Sequence, residues 1–301
     1  MIPEKINQIN SKVNNWGYFI TELIRLKIAR KEKMKILFSV KPAWEKRIRS
    51  GFGFTHHEID FNEFTPENIK KSDLVVPLTI SDLIVLNKDR SLIENNVIPI
   101  PVLDTIQLCG DKYQFYLTLK EKGFEYLLPE VGRNLPYPYI LKRKSSEQGY
   151  DCYLILDAEK EKQYKDLIDS DDFFHQKVIE SIHEYATHIL FKNDEIQASV
   201  TLKYTWSSNT AINGQEEFIS RKIVKCPHLE LFSAILKSID FQGLCCIDYK
   251  VVDGKPYIFE INPRFGGSLS MFFFAFIRHL DKKGTSIVSP AMSEMAGNVK
   301  I

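Results

Sequence analysis

Residues 243–268 read GLCCIDYKVVDGKPYIFEINPRFGGS, and this stretch decides the fold. Asp253-Gly254 sits between two apolar runs, Gly243 to Val252 and Lys255 to Ile261. Asp-Gly supplies the two positive-φ positions of a tight hairpin turn, so the stretch is read as two antiparallel strands. Glu260 and Asn262 are two residues apart and share one face of the second strand, and pairing across the turn brings Asp248 toward that face. Two carboxylates and an amide oxygen are hard ligands of the kind Mg²⁺ takes when substrate phosphates complete its shell. Arg264 follows closely enough to neutralise charge on a transferred phosphoryl group. Any one of these residues alone would be read as a solvated polar side chain. The ordered set Asp248, Glu260, Asn262 and Arg264 favours a shared role.

Upstream, the texture divides. Lys35 to Val40, Thr55 to Phe61 and Leu74 to Leu78 read as strands. They alternate with helical stretches at Pro42 to Ser50, from Pro66, and at Ile80 to Lys88, a pitch that predicts a small parallel sheet over residues 34–106. From Asp111 a helix runs until Gly123 stops it. Strands follow at Tyr139 to Lys142 and Cys152 to Leu156, a helix at Ala158 to Ile168, and strands at Phe174 to Ile179, Tyr185 to Leu190 and Ile196 to Tyr204. A helix over Leu229 to Ile239 then leads into the hairpin. This second part is α+β with antiparallel pairing.

At the other end, Ile6, Ile9, Val13, Trp16, Phe19, Ile20, Leu23, Ile24 and Ile28 keep the three-and-four spacing of an amphipathic helix over residues 1–33. Its basic tail, Arg25, Lys27, Arg30, Lys31, Lys33 and Lys35, would suit an anionic membrane surface; packing on the body of the protein or on a second subunit is preferred.

Composition narrows the function classes. Forty Lys and Arg against thirty-nine Asp and Glu leave a net charge of +1, without the basic excess of a protein held to nucleic acid through phosphates. No run reaches the roughly 18–20 apolar residues of a membrane span, and no signal peptide opens the chain, so a cytoplasmic protein is expected. Five cysteines, none in C-x-x-C spacing, argue against zinc or a disulfide framework. His56-His57-Glu58 lacks the helical spacing of a zinc-protease motif. Arg221 and Lys222, on a strand, read as solvated cations, and Lys41, Pro42 and Trp44 follow the first strand, where open α/β sheets bind ligands.

With these residues in order, the chain resembles the ATP-grasp superfamily, in particular its carbamoyl-phosphate-synthase-like and amino-acid-ligase branches. The 260–268 motif after the aspartate strand looks like that family's metal motif. Asp111-Lys112 opening a helix resembles its nucleotide-binding lysine, and Tyr139-Ile140-Leu141-Lys142 the strand whose lysine contacts phosphates. Gln176-Lys177-Val178-Ile179 stands in the place of the hinge that binds adenine through its backbone, and Glu184 in that of the ribose-binding glutamate. Three departures stand out. The loop from Arg143 to Gly149 has one glycine where the family often has two or three, Gln176 replaces a glutamate, and Cys246 stands where the D-alanine ligase branch has arginine.

The resemblance implies an N-terminal doubly wound parallel-sheet domain (34–106) followed by a two-lobed ATP-grasp domain (107–301, with lobes 107–179 and 180–301). It implies ATP between the lobes, Lys112 and Lys142 on its phosphates, and Mg²⁺, with Mn²⁺ as an alternative, on Asp248, Glu260 and Asn262. Arg264 would be the catalytic cation. The implied reaction joins a small-molecule carboxylate to an amine or other nucleophile through an acyl phosphate, with no nucleic acid and no membrane span involved and a homodimer as one arrangement. The alternatives are a carbamoyl-phosphate-synthase-like carboxylate kinase in a larger assembly and a nucleotide-binding protein without catalysis.

Overall fold

The computed structural model describes residues 2–29, 32–89, 96–145 and 151–280. Residues 146–149 of the expected phosphate loop and residues 281–301 of the expected C-terminal lobe lie outside the described residues. Helix α1 spans Ile2–Ala29 and runs unbroken through Gly17; Glu32 and Lys33, expected within a helix over 1–33, are not helical, and residues 1, 30 and 31 lie outside the described residues. Strand β1 (Lys35–Phe38) is buried at Ile36, Leu37 and Phe38 in succession, as a strand covered on both faces must be. After α2 (Pro42–Phe52), β2 (Glu58–Phe61), α3 (Pro66–Lys70), β3 (Leu74–Val76) and α4 (Ile80–Lys88), the three strands form a parallel sheet in the order β2-β1-β3. β2 begins three residues later than its apolar pattern suggested. Thr55 N–H closes a turn onto Phe52 O, and Glu58 is the first residue whose backbone N–H donates to the segment leading into β1, at Met34 O.

A further helix, α5 (Leu103–Gly110), precedes α6 (Lys112–Leu119). Asp111 caps α6 by accepting from the N–H groups of Tyr113 and Gln114, which places Lys112 at the first helical position. Gly123, at φ +85°, ends the helical path. Strands β4 (Tyr139–Arg143) and β5 (Cys152–Ile155) come next. Where one helix was expected, two short ones occur, α7 (Ala158–Gln163) and α8 (Lys165–Ile168), divided at Tyr164, whose φ of −105° and ψ of 16° leave the helical path. Strand β6 (Phe173–Lys177) completes an antiparallel sheet in the order β5-β4-β6. It stops before Val178 and Ile179, which were expected inside it. Lys177 pairs with Tyr139, the first residue of β4, and the preceding Pro138 has no N–H to extend the ladder. The two residues therefore leave the sheet as a hinge.

Strands β7 (His183–Lys192), β8 (Glu195–Thr205) and β9 (Ser220–Val224), helix α9 (Leu229–Ser238), and strands β10 (Gly243–Val252) and β11 (Lys255–Asn262) complete the described elements apart from short π and 3-10 turns at Lys120–Phe124 and Glu125–Leu127 and 3-10 turns after β11. The five strands form an antiparallel sheet in the order β11-β10-β7-β8-β9. Asp253 and Gly254 turn the hairpin at φ +51° and +77°. Two apolar cores cover the sheet's faces. One gathers Ala186, Leu202, Leu244 and Cys246 with Phe38, Phe265 and the aromatic run 272–276; the other gathers Ile189, Ile247, Tyr249 and Ile261 with Phe232 and Leu236 of α9. Cys245 and Cys246 fall into opposite cores, as neighbours on a strand do, and all five cysteines are free and buried.

The β10–β11 ladder carries one irregularity. Asp248 faces Glu260 but Tyr249 faces Ile258, so Phe259 is an extra residue in β11. Pro256 and Ile258 are buried beneath the strand; after the bulge Glu260 and Asn262 take the other face, while Ile261 returns to the core. Phe259 and Glu260, adjacent in sequence, both border the same cavity.

Candidate active site

A cavity of about 570 Å³ is bordered by the small antiparallel sheet, the hairpin face of the large sheet and the start of α2 with Lys41 before it. Ten of the eleven residues assigned in the sequence to ATP, metal or catalysis line it: Lys112, Lys142, Gln176, Val178, Ile179, Glu184, Asp248, Glu260, Asn262 and Arg264. Lys177 does not. Its side chain is turned to solvent 3.9 Å from Glu130, and its N–H donates to Glu130 O.

The hairpin builds one wall. Asn262 Nδ2 donates to Asp248 Oδ2 and to Glu260 Oε1, both at 3.0 Å, so the amide ties the two carboxylates together. Burial, with the Glu260 and Glu184 carboxylates nearby, pushes Asp248 well above the usual carboxylate range. Burial opposes ionisation of Glu260 too, but Lys112 and Lys142, with the Asn262 hydrogen bond and Arg264, outweigh it and hold Glu260 below its ordinary value. A divalent cation would let both carboxylates ionise, and turning the Asn262 amide by 180° would present its oxygen beside them. Among the described residues no group of three or more His, Cys, Asp and Glu could hold a metal by itself. Asp248, Glu260 and Asn262 thus suit a cation whose remaining ligands come from bound phosphate or water.

Two lysines face that wall. Lys112 Nζ, buried at the start of α6, lies 3.6 Å from Glu260 Oε2. Lys142 Nζ, from β4, donates to Gln176 Oε1 at 3.2 Å and stands 5.6 Å from the Phe259 ring centroid. Ile140, Val178, Ile179 and Phe259 make this end of the cavity apolar around the lysines. Glu184 is buried on β7, and burial raises its pKa to about 7 against the opposing pull of Lys250 and a hydrogen bond from Asn213.

The opposite end is shaped by the two glycines of the motif. A Cβ on Gly266 would lie 2.4 Å from Cε1 of buried His188, and one on Gly267 would lie 2.8 Å from Trp44 Nε1. Only glycine lets the chain after β11 pass between the sheet and the indole. Trp44 has Lys41 Nζ 5.3 Å from its ring centroid and the Arg264 guanidinium 5.9 Å away. Of Lys41, Pro42 and Trp44, expected near the ligand, Lys41 and Trp44 line the cavity and Pro42 does not. Arg221 lies over Tyr204, another lining residue, with 5.9 Å from Cζ to the ring centroid. His57 is taken up by the N-terminal sheet, where its Nδ1 accepts from Met34 N–H.

Sequence reasoning missed Phe259, Tyr204, the 210–214 segment and Lys250. Lys250 Nζ donates to the carbonyls of Asn209 and Ala211 and so holds that segment over the cavity. Regular alternation assigns Phe259 to the face opposite Glu260, and only the bulge reverses this. The 209–214 segment is polar loop with no spacing to read.

Residues 109–268 match the family model described as the ATP-grasp domain. A comparison with curated proteins gives no match. Solved structures share the fold at low identity. Phosphoribosylamine–glycine ligase from Thermotoga maritima is 15% identical over 79% of this chain and 70% of its own, with a TM-score of 0.59. N5-carboxyaminoimidazole synthetase from Staphylococcus aureus, solved with ADP, is 15% identical over 85% and 79%, with a TM-score of 0.58. D-alanine–D-alanine ligase from Bacillus anthracis is 14% identical over 79% and 89%, with a TM-score of 0.53. Given the matched region, more than half its length, the chain belongs to the ATP-grasp family.

Proposed function

We propose that the chain is an ATP-dependent ligase that joins a small carboxylate to an amine or other nucleophile through an acyl phosphate. The observation that carries this reading is the meeting of Lys112, Lys142, Asp248, Glu260, Asn262 and Arg264 in one cavity, from elements far apart in sequence. Lysines and carboxylates in one enclosed space suit a triphosphate and a divalent cation, since each sign neutralises a different part of the complex.

In this reading Ile140, Val178, Ile179 and Phe259 flank the adenine, the backbone of the 177–179 hinge and Gln176 meet its polar edge, and Glu184 accepts from the ribose hydroxyls. Lys112 and Lys142 neutralise the phosphates. Asp248, Glu260 and Asn262 hold Mg²⁺ or Mn²⁺, which supplies Lewis-acid neutralisation of phosphate charge when bound. A substrate carboxylate oxygen attacks the γ-phosphorus, the bond to the ADP oxygen breaks, and the nucleophile then displaces phosphate from the acyl carbon. Arg264 stabilises charge on the moving phosphoryl group. No side chain need become covalently attached. The parallel sheet within 34–106 serves as a doubly wound substrate-side domain, and 107–179 and 180–301 as the two lobes that close on ATP.

ADP release with ATP, Mg²⁺ and paired libraries of carboxylates and amines tests the reading. ADP that forms only with a productive pair, and is lost in Glu260→Gln, is the expected result. Undiminished turnover in that variant would overturn the metal assignment, and absence of ADP with every pair would overturn the ligase reading.

A further inference from the structure

Helix α1 has two faces, and the apolar one that remains exposed is on the outside. Its inner face closes the open edge of the large sheet. Asn15 pairs with edge strand β9 as another strand would, its Nδ2 donating to Arg221 O at 2.9 Å and its Oδ1 accepting from Ile223 N–H at 2.8 Å. Ser11 also donates to the Arg221 carbonyl, and Asn14 donates to the Ile223 carbonyl. Phe19 packs 4.7 Å from the ring centroid of Phe274, Leu26 is buried, and buried Glu22 is bonded to Arg278.

The other face carries Val13, Trp16, Ile20, Ile24 and Ile28, which are between 50% and 74% exposed. Spacings of three and four put them in one stripe, on the side of the helix away from Phe19, Glu22 and Leu26. At about 1.5 Å per residue the stripe is roughly 22 Å long. Phe54, also exposed, stands 6.1 Å from the Phe19 ring and widens the apolar surface. The ionised side chains of residues 11–29 divide by face. Glu22, the one acid among them, is buried and ion-paired with Arg25 at 2.7 Å as well as with Arg278, while Lys12 and Lys27 are exposed. Such a face meets a second identical copy with like charge on like charge, but it meets an anionic bilayer with opposite charge and a place for its apolar stripe. Trp16, amphipathic and half exposed, is a side chain suited to the headgroup level. Among the described residues no helix is long and apolar enough to cross a membrane.

We propose that α1 is a docking surface for an anionic phospholipid bilayer. It lies in the plane of the interface and seats the chain on the membrane without spanning it, whatever reaction the cavity performs.

Cosedimentation of the full chain with phosphatidylcholine vesicles, with and without phosphatidylglycerol, tests the proposal. The expected result is binding to phosphatidylglycerol-containing vesicles that weakens as salt is raised, with little binding to phosphatidylcholine alone. Ile20→Glu/Ile24→Glu should reduce the partition coefficient by about tenfold or more, and Lys12→Glu/Lys27→Glu should weaken binding to the anionic vesicles selectively. Far-UV circular dichroism and mass in solution report whether the variants remain folded. Failure of the wild-type chain to bind phosphatidylglycerol vesicles at low salt would overturn the proposal, as would equal binding by folded Ile20→Glu/Ile24→Glu. A concentration-dependent dimer abolished by that pair, without lipid binding, would assign the face to a second copy instead.

Discussion

Lys112 Nζ lies 3.6 Å from Glu260 Oε2, joining the first turn of α6 to the end of β11 across the cavity. Lys112 is buried and the Glu260 side chain is 26% exposed, so the pair is less screened than a surface ion pair. Removing the cation leaves the carboxylate to be held ionised by Lys142, the Asn262 hydrogen bond and Arg264. Lys112→Met is expected to lower stability at neutral pH by about 1–3 kcal/mol. Because the lysines depress the Glu260 pKa, their stabilisation is present above its unfolded value and is lost as pH falls through the lower folded value. The deficit of the variant should therefore shrink on acidification. Urea unfolding at neutral and acidic pH reads this, and a pH-independent deficit would show that the pair contributes through packing alone.

Asp248 and Glu260 face each other as a cross-strand pair, with Asp248 buried and pushed up. Replacing one carboxylate by its amide removes this repulsion. Asp248→Asn is expected to leave the protein without metal as stable as before or to stabilise it by about 1 kcal/mol. The same change should remove most of the rise in Tm that Mg-ATP gives the wild type, because stabilisation by a ligand follows its affinity. Thermal unfolding with ATP, with and without Mg²⁺, separates the two effects. A variant that is destabilised and still shifted by Mg-ATP would contradict the assigned role.

Two helical glycines should respond to alanine with opposite sign. A Cβ on Gly51 in α2 would stand 2.4 Å from the backbone oxygen of Met271, whereas one on Gly17 in α1 would meet nothing within 4 Å. Alanine is the better helix former by about 1 kcal/mol, so Gly17→Ala should gain roughly that much. Gly51→Ala should lose about 1–3 kcal/mol, since the 271 backbone must move to admit the methyl group. Urea midpoints of the two variants decide this, and a stable Gly51→Ala would mean that the 271 turn yields easily.

The contrast between these glycines shows how far the sequence was legible. Local rules found the Asp253-Gly254 hairpin, the N-cap at Asp111 and the apolar strands, because turn chemistry, capping and periodicity act over a few residues. Motif order groups Lys112, Lys142, Glu184, Asp248, Glu260, Asn262 and Arg264, and the structure brings them to one cavity. What escaped depends on neighbours distant in sequence. The bulge that turns Phe259 toward the cavity, the proline that ends the β4–β6 ladder at Lys177 and the clamp of Lys250 on the 209–211 carbonyls all need the partner strand or loop in place. The outward stripe of α1 was visible as apolar spacing, but which face would be covered was not, since β9 binds that helix through Ser11, Asn14 and Asn15.

His188 sits on β7 opposite Cys246, fully buried, with Nε2 2.7 Å from Ser268 Oγ and no hydrogen-bond partner for Nδ1 among the described residues. Burial, then the cations Arg221 from β9 and Arg264 after β11, lower its pKa to about 3; the neighbouring Cys246 thiol is itself pushed up by burial and stays neutral. The unfolded chain protonates this imidazole near its ordinary value of about 6.5, while the folded chain resists until far lower pH. Its contribution to stability is therefore complete above about 6.5 and is lost as pH falls toward the folded value. Within that window the slope approaches about 1.4 kcal/mol per pH unit. His188→Gln keeps an amide that can reach Ser268 but does not titrate, so its stability should fall less steeply on acidification. The difference between wild type and variant isolates His188 from the carboxylates, which titrate in both. Urea unfolding from pH 7 down to the onset of acid denaturation measures it, and parallel curves would show that the imidazole is not held neutral.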